Sequence, residues 1–167
     1  MSIFSWLFGK KDEVQQETII EPTTGNNPIR FRPELVEKLI NDHREIVVIY
    51  SEMNDLFAKK DYGQIGLKVN EFKRKLQGHV IVENVQFYTY LENKLRHDPT
   101  NLEFIRDVRK EMNGIAHAVV QFARKYEKVG FSAQVIEEFS KDLAGIGDVL
   151  TQRVEMEESQ LYSLYEQ

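Results

Sequence analysis

Two segments of the chain carry ionisable side chains four residues apart inside apolar, helix-like runs. LQGHVIVENVQFYTYL, Leu76 to Leu91, holds His79 and Glu83, and TQRVEMEESQL, Thr151 to Leu161, holds Arg153 and Glu157. A third run, NDHREIVV, holds His43. Residues four apart on a helix project from the same face. Imidazole nitrogen with carboxylate oxygen suits iron, manganese or zinc, so His43, His79, Glu83 and Glu157 could surround one cation. A buried carboxylate without a partner costs several kcal/mol, so Glu83 and Glu157 need something positive beside them. Arg153 offers a second way to meet that need: its guanidinium can fork to Glu83 or Glu157 while the histidines hydrogen-bond, which makes the same layer purely structural. The residues alone leave both readings open.

The elements that must position these groups are helices. Asp61 to Gly63, His97-Asp98-Pro99-Thr100 and Val129-Gly130-Phe131-Ser132 break the chain into periodic stretches near 33–59, 64–96, 99–129 and 133–166, with no strand pattern between them. Pro33 suits a first helical position, Asp98 with Pro99 an N-cap and N1 pair, and Gly130 a C′ residue. The expected fold is all-α, an up-down-up-down four-helix bundle over residues 33–167, preceded by a flexible N-terminal extension and linker over residues 1–32.

Alternating steps of three and four residues define the inward seams. They run through Val36, Leu39, His43, Ile46, Tyr50, Met53 and Phe57 in the first helix, and through Ile65, Val69, Phe72, Leu76, His79, Glu83, Gln86 and Tyr90 in the second. The third seam is Ile105, Val108, Met112, Ile115, Val119, Phe122 and Tyr126; the fourth is Ile136, Phe139, Leu143, Ile146, Leu150, Arg153, Glu157, Gln160 and Leu164. With a rise of about 1.5 Å per residue, His43, His79, Glu83, Arg153 and Glu157 fall in one middle layer. His117 lies about 140° from Met112 at about 100° per residue, off the third seam. Tyr162 and Tyr165 are expected to close the bundle's end.

Composition narrows the function. The 167 residues suit one domain, and a formal charge of -5 without a basic block excludes nucleic acid as an expected partner. With no cysteine, thiolate metal sites and thiol nucleophiles are excluded, in keeping with an expected cytoplasmic setting. MSIFSWLFGKK is far short of a bilayer span and lacks the basic start of a signal peptide; it could serve as a short amphipathic peg for a membrane surface or a partner protein. There is no Gly-rich phosphate loop or nucleophile elbow, so the chain is not expected to be an enzyme. Oligomeric state is left open.

These residues resemble the hemerythrin-like, or HHE cation-binding, bundles. NDHREIV supplies the family's Asp-His pair with Asp42 and His43, GHVIVENVQFYTYLE supplies His79 and Glu83, and QRVEMEESQLYSLYEQ supplies Glu157 and Glu158 but opens with Arg153 where the family has histidine. The family's third-helix histidine has one counterpart to offer, His117, although EMNGIAH puts Met112 at the expected place. The resemblance covers roughly residues 34–166 and implies a non-haem iron site with His43, His79, Glu83, His117 and Glu157 as ligands. One or two irons would be used to bind or sense oxygen, nitric oxide or iron, and Arg153 points to a degenerate set. EEFSKDLAGIGDVLTQRVEMEESQL, with QGHVIVE, also resembles the bacterial regulators of the housekeeping sigma factor. That resemblance implies the alternative, a metal-free helical bundle acting by protein–protein binding.

Overall fold

The computed structural model describes residues 30–166. They form four long helices and no strand. α1 is Leu35–Ala58; α2 runs through Tyr62–Val82, a π-helical turn Glu83–Tyr88 and Thr89–Lys94; α3 is Pro99–Tyr126; α4 runs through Ala133–Met156, a second π-helical turn Glu157–Leu161 and Tyr162–Glu166. The N-terminal peg and most of the linker lie outside the described residues. Among the described residues no helix is long and apolar enough to cross a membrane.

The helix boundaries follow local chemistry. Asp98 accepts a hydrogen bond from the Asn101 backbone N–H at 3.2 Å with Pro99 at the first helical position, and Ser132 accepts from Val135 at 3.4 Å. Both satisfy first-turn donors that have no partner inside the helix. Two expectations are corrected. Pro33 sits in a turn before α1 rather than in its first turn, since Glu34 is the N-cap residue. Gly130 is not a left-handed C′ residue: α3 stops at Tyr126, and no described glycine has positive φ. Lys60, at φ 59°, fills that role after α1, where its N–H meets Phe57 O at 3.0 Å and the Asp61 N–H meets Leu56 O at 2.9 Å.

Close helix approach relies on small residues at two places. A Cβ on Gly147 would lie 2.1 Å from the Tyr50 hydroxyl, which donates to Leu143 O across the α1–α4 seam at 3.0 Å. A Cβ on Gly66 would lie 2.6 Å from Glu127 O, at the end of α3.

The core is divided. One apolar cluster joins Ile46 to Met53, Ile65 to Leu76, Met112 to Tyr126 and Phe139 to Leu150. The other joins Leu35 to Leu39, Phe87 to Leu91, Ile105 with Val108, and Leu161 to Tyr165, so both terminal tyrosines close the bundle. Phe31 packs 5.1 Å from Tyr165, whose hydroxyl accepts from the Arg32 N–H at 2.9 Å. Between the clusters, along α1, α2 and α4, lie the buried charged and imidazole side chains.

The seams hold up to that layer and then slip. After Glu83, the inward residues are Phe87, Tyr88 and Leu91 rather than Gln86 and Tyr90; after Glu157 they are Leu161, Tyr162 and Tyr165 rather than Gln160 and Leu164. The π turns cause both slips, because each inserts a residue that the three-four stepping does not count. α3 has no such turn, and its whole expected seam is buried.

Candidate metal centre

His43, His79, Glu83, Arg153 and Glu157 converge between the two clusters, with relative exposures of 3%, 2%, 0%, 5% and 1%. Such groups stay buried only when each charge or lone pair has a counterpart. His43 reaches Glu157 Oε2 through Nε2 at 3.0 Å and Glu158 Oε1 through Nδ1 at 2.8 Å. His79 Nε2 lies 3.6 Å from Glu83 Oε2, and its Nδ1 lies 3.8 Å from Asp42 Oδ2. Arg153 donates from Nε to Glu157 Oε1 and from Nη2 to the Tyr88 hydroxyl at 2.5 Å. The Tyr162 hydroxyl meets His43 Nε2 at 3.3 Å.

The two histidines are thus oriented alike. Each turns Nδ1 toward an outer carboxylate, Glu158 or Asp42, and Nε2 toward the centre. An outer carboxylate on one imidazole nitrogen is the arrangement that fixes the tautomer and aims the other nitrogen at a metal. Asp42 is itself held by Lys38 at 2.5 Å and Lys75 at 2.8 Å. These lysines outweigh its burial and keep the Asp42 carboxyl below the usual carboxylate range.

Electrostatics separate the members of the layer. Burial pushes the Glu83 carboxyl well above its ordinary pKa, aided by the negative Glu157 and opposed by Arg153. Burial acts on Glu157 in the same direction, but His43 and Arg153 outweigh it and hold the pKa down. For His43, burial opposes the charge, yet Glu157 and Glu158 raise the pKa overall. His79 is pushed down to about 4, by burial first and then by His43, so its imidazole is neutral near pH 7. Burial raises the Tyr88 and Tyr162 phenols, which therefore stay protonated donors.

A cation fits the carboxylate oxygens left over, though not Arg153 Nη1, which is a donor, nor His79 Nδ1, which faces away from the centre. Glu83 Oε1 and Oε2, His79 Nδ1 and Arg153 Nη1 are buried without a hydrogen-bond partner, and Glu157 Oε2 meets His43 as an ion pair without hydrogen-bond alignment. One ligand atom each from His43, His79 and Glu157 lie within 4.8 Å of one another. Bonds of about 2.0–2.2 Å to a first-row ion put opposed donors roughly 4 Å apart, close to that span. Glu83 adds a carboxylate 3.6 Å from His79.

The structure does not bring His117 into this group. It is exposed and meets Gln121 at 3.3 Å, because the buried face of α3 at this level is made by Met112 and Ile115, with Ala116 partly buried. Met112 is the side chain nearest the expected third-helix position, and it brings no nitrogen or oxygen donor.

Sequence reasoning missed the two tyrosines. Tyr88 and Tyr162 each lie five residues past a layer glutamate, which on a regular helix would put them about 140° round at about 100° per residue. In a π turn, whose hydrogen bonds run from i to i+5, five residues close about one turn and the phenol returns to the glutamate's face. The signal available in the sequence is an internal repeat: Glu83-Asn-Val-Gln-Phe-Tyr88 matches Glu157-Glu-Ser-Gln-Leu-Tyr162, with His79 and Arg153 each four residues earlier.

A family model described as Hemerythrin HHE cation binding domain matches residues 34–165. Comparison with curated proteins gave no match. Comparison with solved structures gave none either.

Proposed function

The chain belongs to the hemerythrin HHE cation-binding domain family, and from that premise we propose that it holds iron at His43, His79 and Glu157, with Glu83 as the further carboxylate. The observation that supports this reading best is the convergence of those three donors within 4.8 Å, with the fully buried Glu83 carboxylate 3.6 Å from His79. Neutral imidazole at His79 offers a lone pair, Glu157 offers a charged oxygen, and the outer carboxylate Glu158 aims the His43 ring through a 2.8 Å contact. Iron bound there would supply Lewis acidity and a one-electron redox change. The proposed role is binding or sensing of oxygen, nitric oxide or iron, without catalysis, in the cytoplasm. The proposed output is contact with a protein partner rather than with nucleic acid, whose phosphates the net charge of -5 repels.

One observation favours a second reading. Arg153 already pairs with Glu157 and Tyr88, which supplies part of the positive charge the layer requires and suits a metal-free regulatory bundle. Metal analysis of the full chain from iron-rich medium separates the two. The iron reading expects close to stoichiometric metal; less than about a tenth of an equivalent of iron, manganese or zinc, unchanged after anaerobic reconstitution, sinks it. His79→Ala and Glu83→Ala should release the metal, whereas His97→Ala, in the exposed turn before α3, should not.

A further inference from the structure

α2 and α4 present the layer with two copies of one segment. Each carries a basic residue, a glutamate one turn later that opens a π turn, and a tyrosine that the turn brings back inward: His79, Glu83, Tyr88 in one and Arg153, Glu157, Tyr162 in the other. The copies agree at glutamate and tyrosine and differ at the basic position. An imidazole has a lone pair to give a metal; a guanidinium has none and does not lose its proton in a protein.

The flanking helices repeat the asymmetry. In α1 the layer lies between Leu39, in one apolar cluster, and Ile46, in the other; in α3 the passage between the same two clusters falls between Val108 and Met112. Met112 is therefore the α3 side chain nearest the level of His43, and it brings no nitrogen or oxygen donor, while His117 lies five residues further on and is exposed. Asn84 of α2 pairs with Asn113 of α3 at 2.8 Å, so this stretch of α3 stands beside the layer. One half of the layer offers His43 and His79; the other offers Arg153.

We infer that the centre takes one metal ion per chain and that Arg153 is the resident cation of its other half, engaging the Glu157 oxygen and the Tyr88 phenol that a second ion would meet. The side chain is too deeply buried to withdraw, being 5% exposed and tied to partners that are 1% and 0% exposed. Its Nη1 has no partner and is enclosed, so the positive charge stays in the pocket unscreened by water. A second ion would meet that repulsion and find one fewer nitrogen donor.

This inference rests on the metal-binding reading above, and its test keeps the two apart. The full chain, stripped with chelator, is titrated anaerobically with Fe(II) and separately with Mn(II), and the Mn(II) form at saturation is examined by electron paramagnetic resonance. The expected result is a plateau at one ion per chain and the hyperfine pattern of an isolated ion. A plateau at two, or an exchange-coupled pair, overturns the inference and leaves metal binding standing; no uptake of either ion overturns both. Arg153→His is expected to raise the plateau above one toward two, and a folded variant that stays at one overturns the assignment of Arg153. The wild-type measurements decide the stoichiometry even where that variant fails to fold.

Discussion

The α2 copy and the α4 copy of the layer segment reach the same geometry by different means. In α2 the π turn is held both by a bond within the helix and by Arg109 of α3. Asn84 O accepts from Thr89 Oγ1 at 2.7 Å and from Arg109 Nη2 at 3.3 Å, while Arg109 also donates to Asn84 Oδ1 at 2.9 Å and to Glu92 at 2.8 Å. In α4 the side-chain bonds around the turn are local, Ser159 to Glu155 O at 2.6 Å and Ser163 to Gln160 O at 2.8 Å. What fixes Glu157 is its own ion pair with Arg153 and the approach of His43. A π turn leaves a backbone carbonyl without its regular helical partner, and something has to satisfy it. Glu83, which faces His79 at 3.6 Å, sits where a neighbouring helix immobilises the backbone; Glu157 is held through its side chain.

The largest expected difference between the copies is in the metal-free protein. Arg153→Gln removes the cation from a buried pair and should cost about 3–5 kcal/mol of stability, read by denaturant unfolding of the stripped protein. His79→Ala, at the equivalent position, leaves that pair intact and should cost less in the stripped protein while abolishing most metal uptake. Equal losses from the two variants would break the comparison. A smaller effect follows from the outer carboxylates. Glu158→Gln and Asp42→Asn should each weaken metal binding by about 10-fold or more, measured by chelator competition, with Glu158→Gln the larger. Glu158 already meets its imidazole at 2.8 Å, whereas Asp42 stands 3.8 Å from His79 and is shared with two lysines.

The same contrast explains what could be read from the chain beforehand. Apolar spacing located all four helices and brought His43, His79, Glu83, Arg153 and Glu157 to one level, because each lies on a regular stretch or opens the π turn that directly follows one. Beyond Glu83 and Glu157 the spacing rule fails, since a π turn is set by local carbonyl satisfaction and by tertiary contacts such as Arg109, neither of which alters the periodicity of apolar letters. Gln86 and Gln160 were therefore expected inside, and Tyr88 and Tyr162 were not recognised as part of the site. Left-handed termination at Lys60 was illegible for a related reason: the position is identified by hydrogen bonds to Leu56 and Phe57 rather than by a glycine.

Thr89→Val tests the bond within α2 that supports the turn, with a nearly isosteric change. It removes a 2.7 Å hydrogen bond to Asn84 O and should cost about 1 kcal/mol, together with a modest loss of metal affinity because Glu83 opens the same turn. Ser163→Ala in α4 removes an exposed bond and should cost only a few tenths of a kcal/mol, with metal binding unchanged. If the two substitutions act alike on metal affinity, the turn in α2 is not what positions Glu83.

The smallest effect is expected at His117. The family resemblance makes it a ligand, but α3 turns through about 100° between consecutive residues, so a shift of one position from Ala116 carries the imidazole from the partly buried face to solvent. There its visible partner is Gln121 at 3.3 Å, an exposed contact that water replaces at little cost. His117→Ala should change stability by less than about 0.5 kcal/mol and leave metal stoichiometry and affinity as they were. A loss of metal in this variant would mean that α3 rotates to deliver the imidazole. That rotation would have to swing Met112, Ile115, Val119 and Phe122 out of the core cluster they share with α2, which the packing strongly opposes.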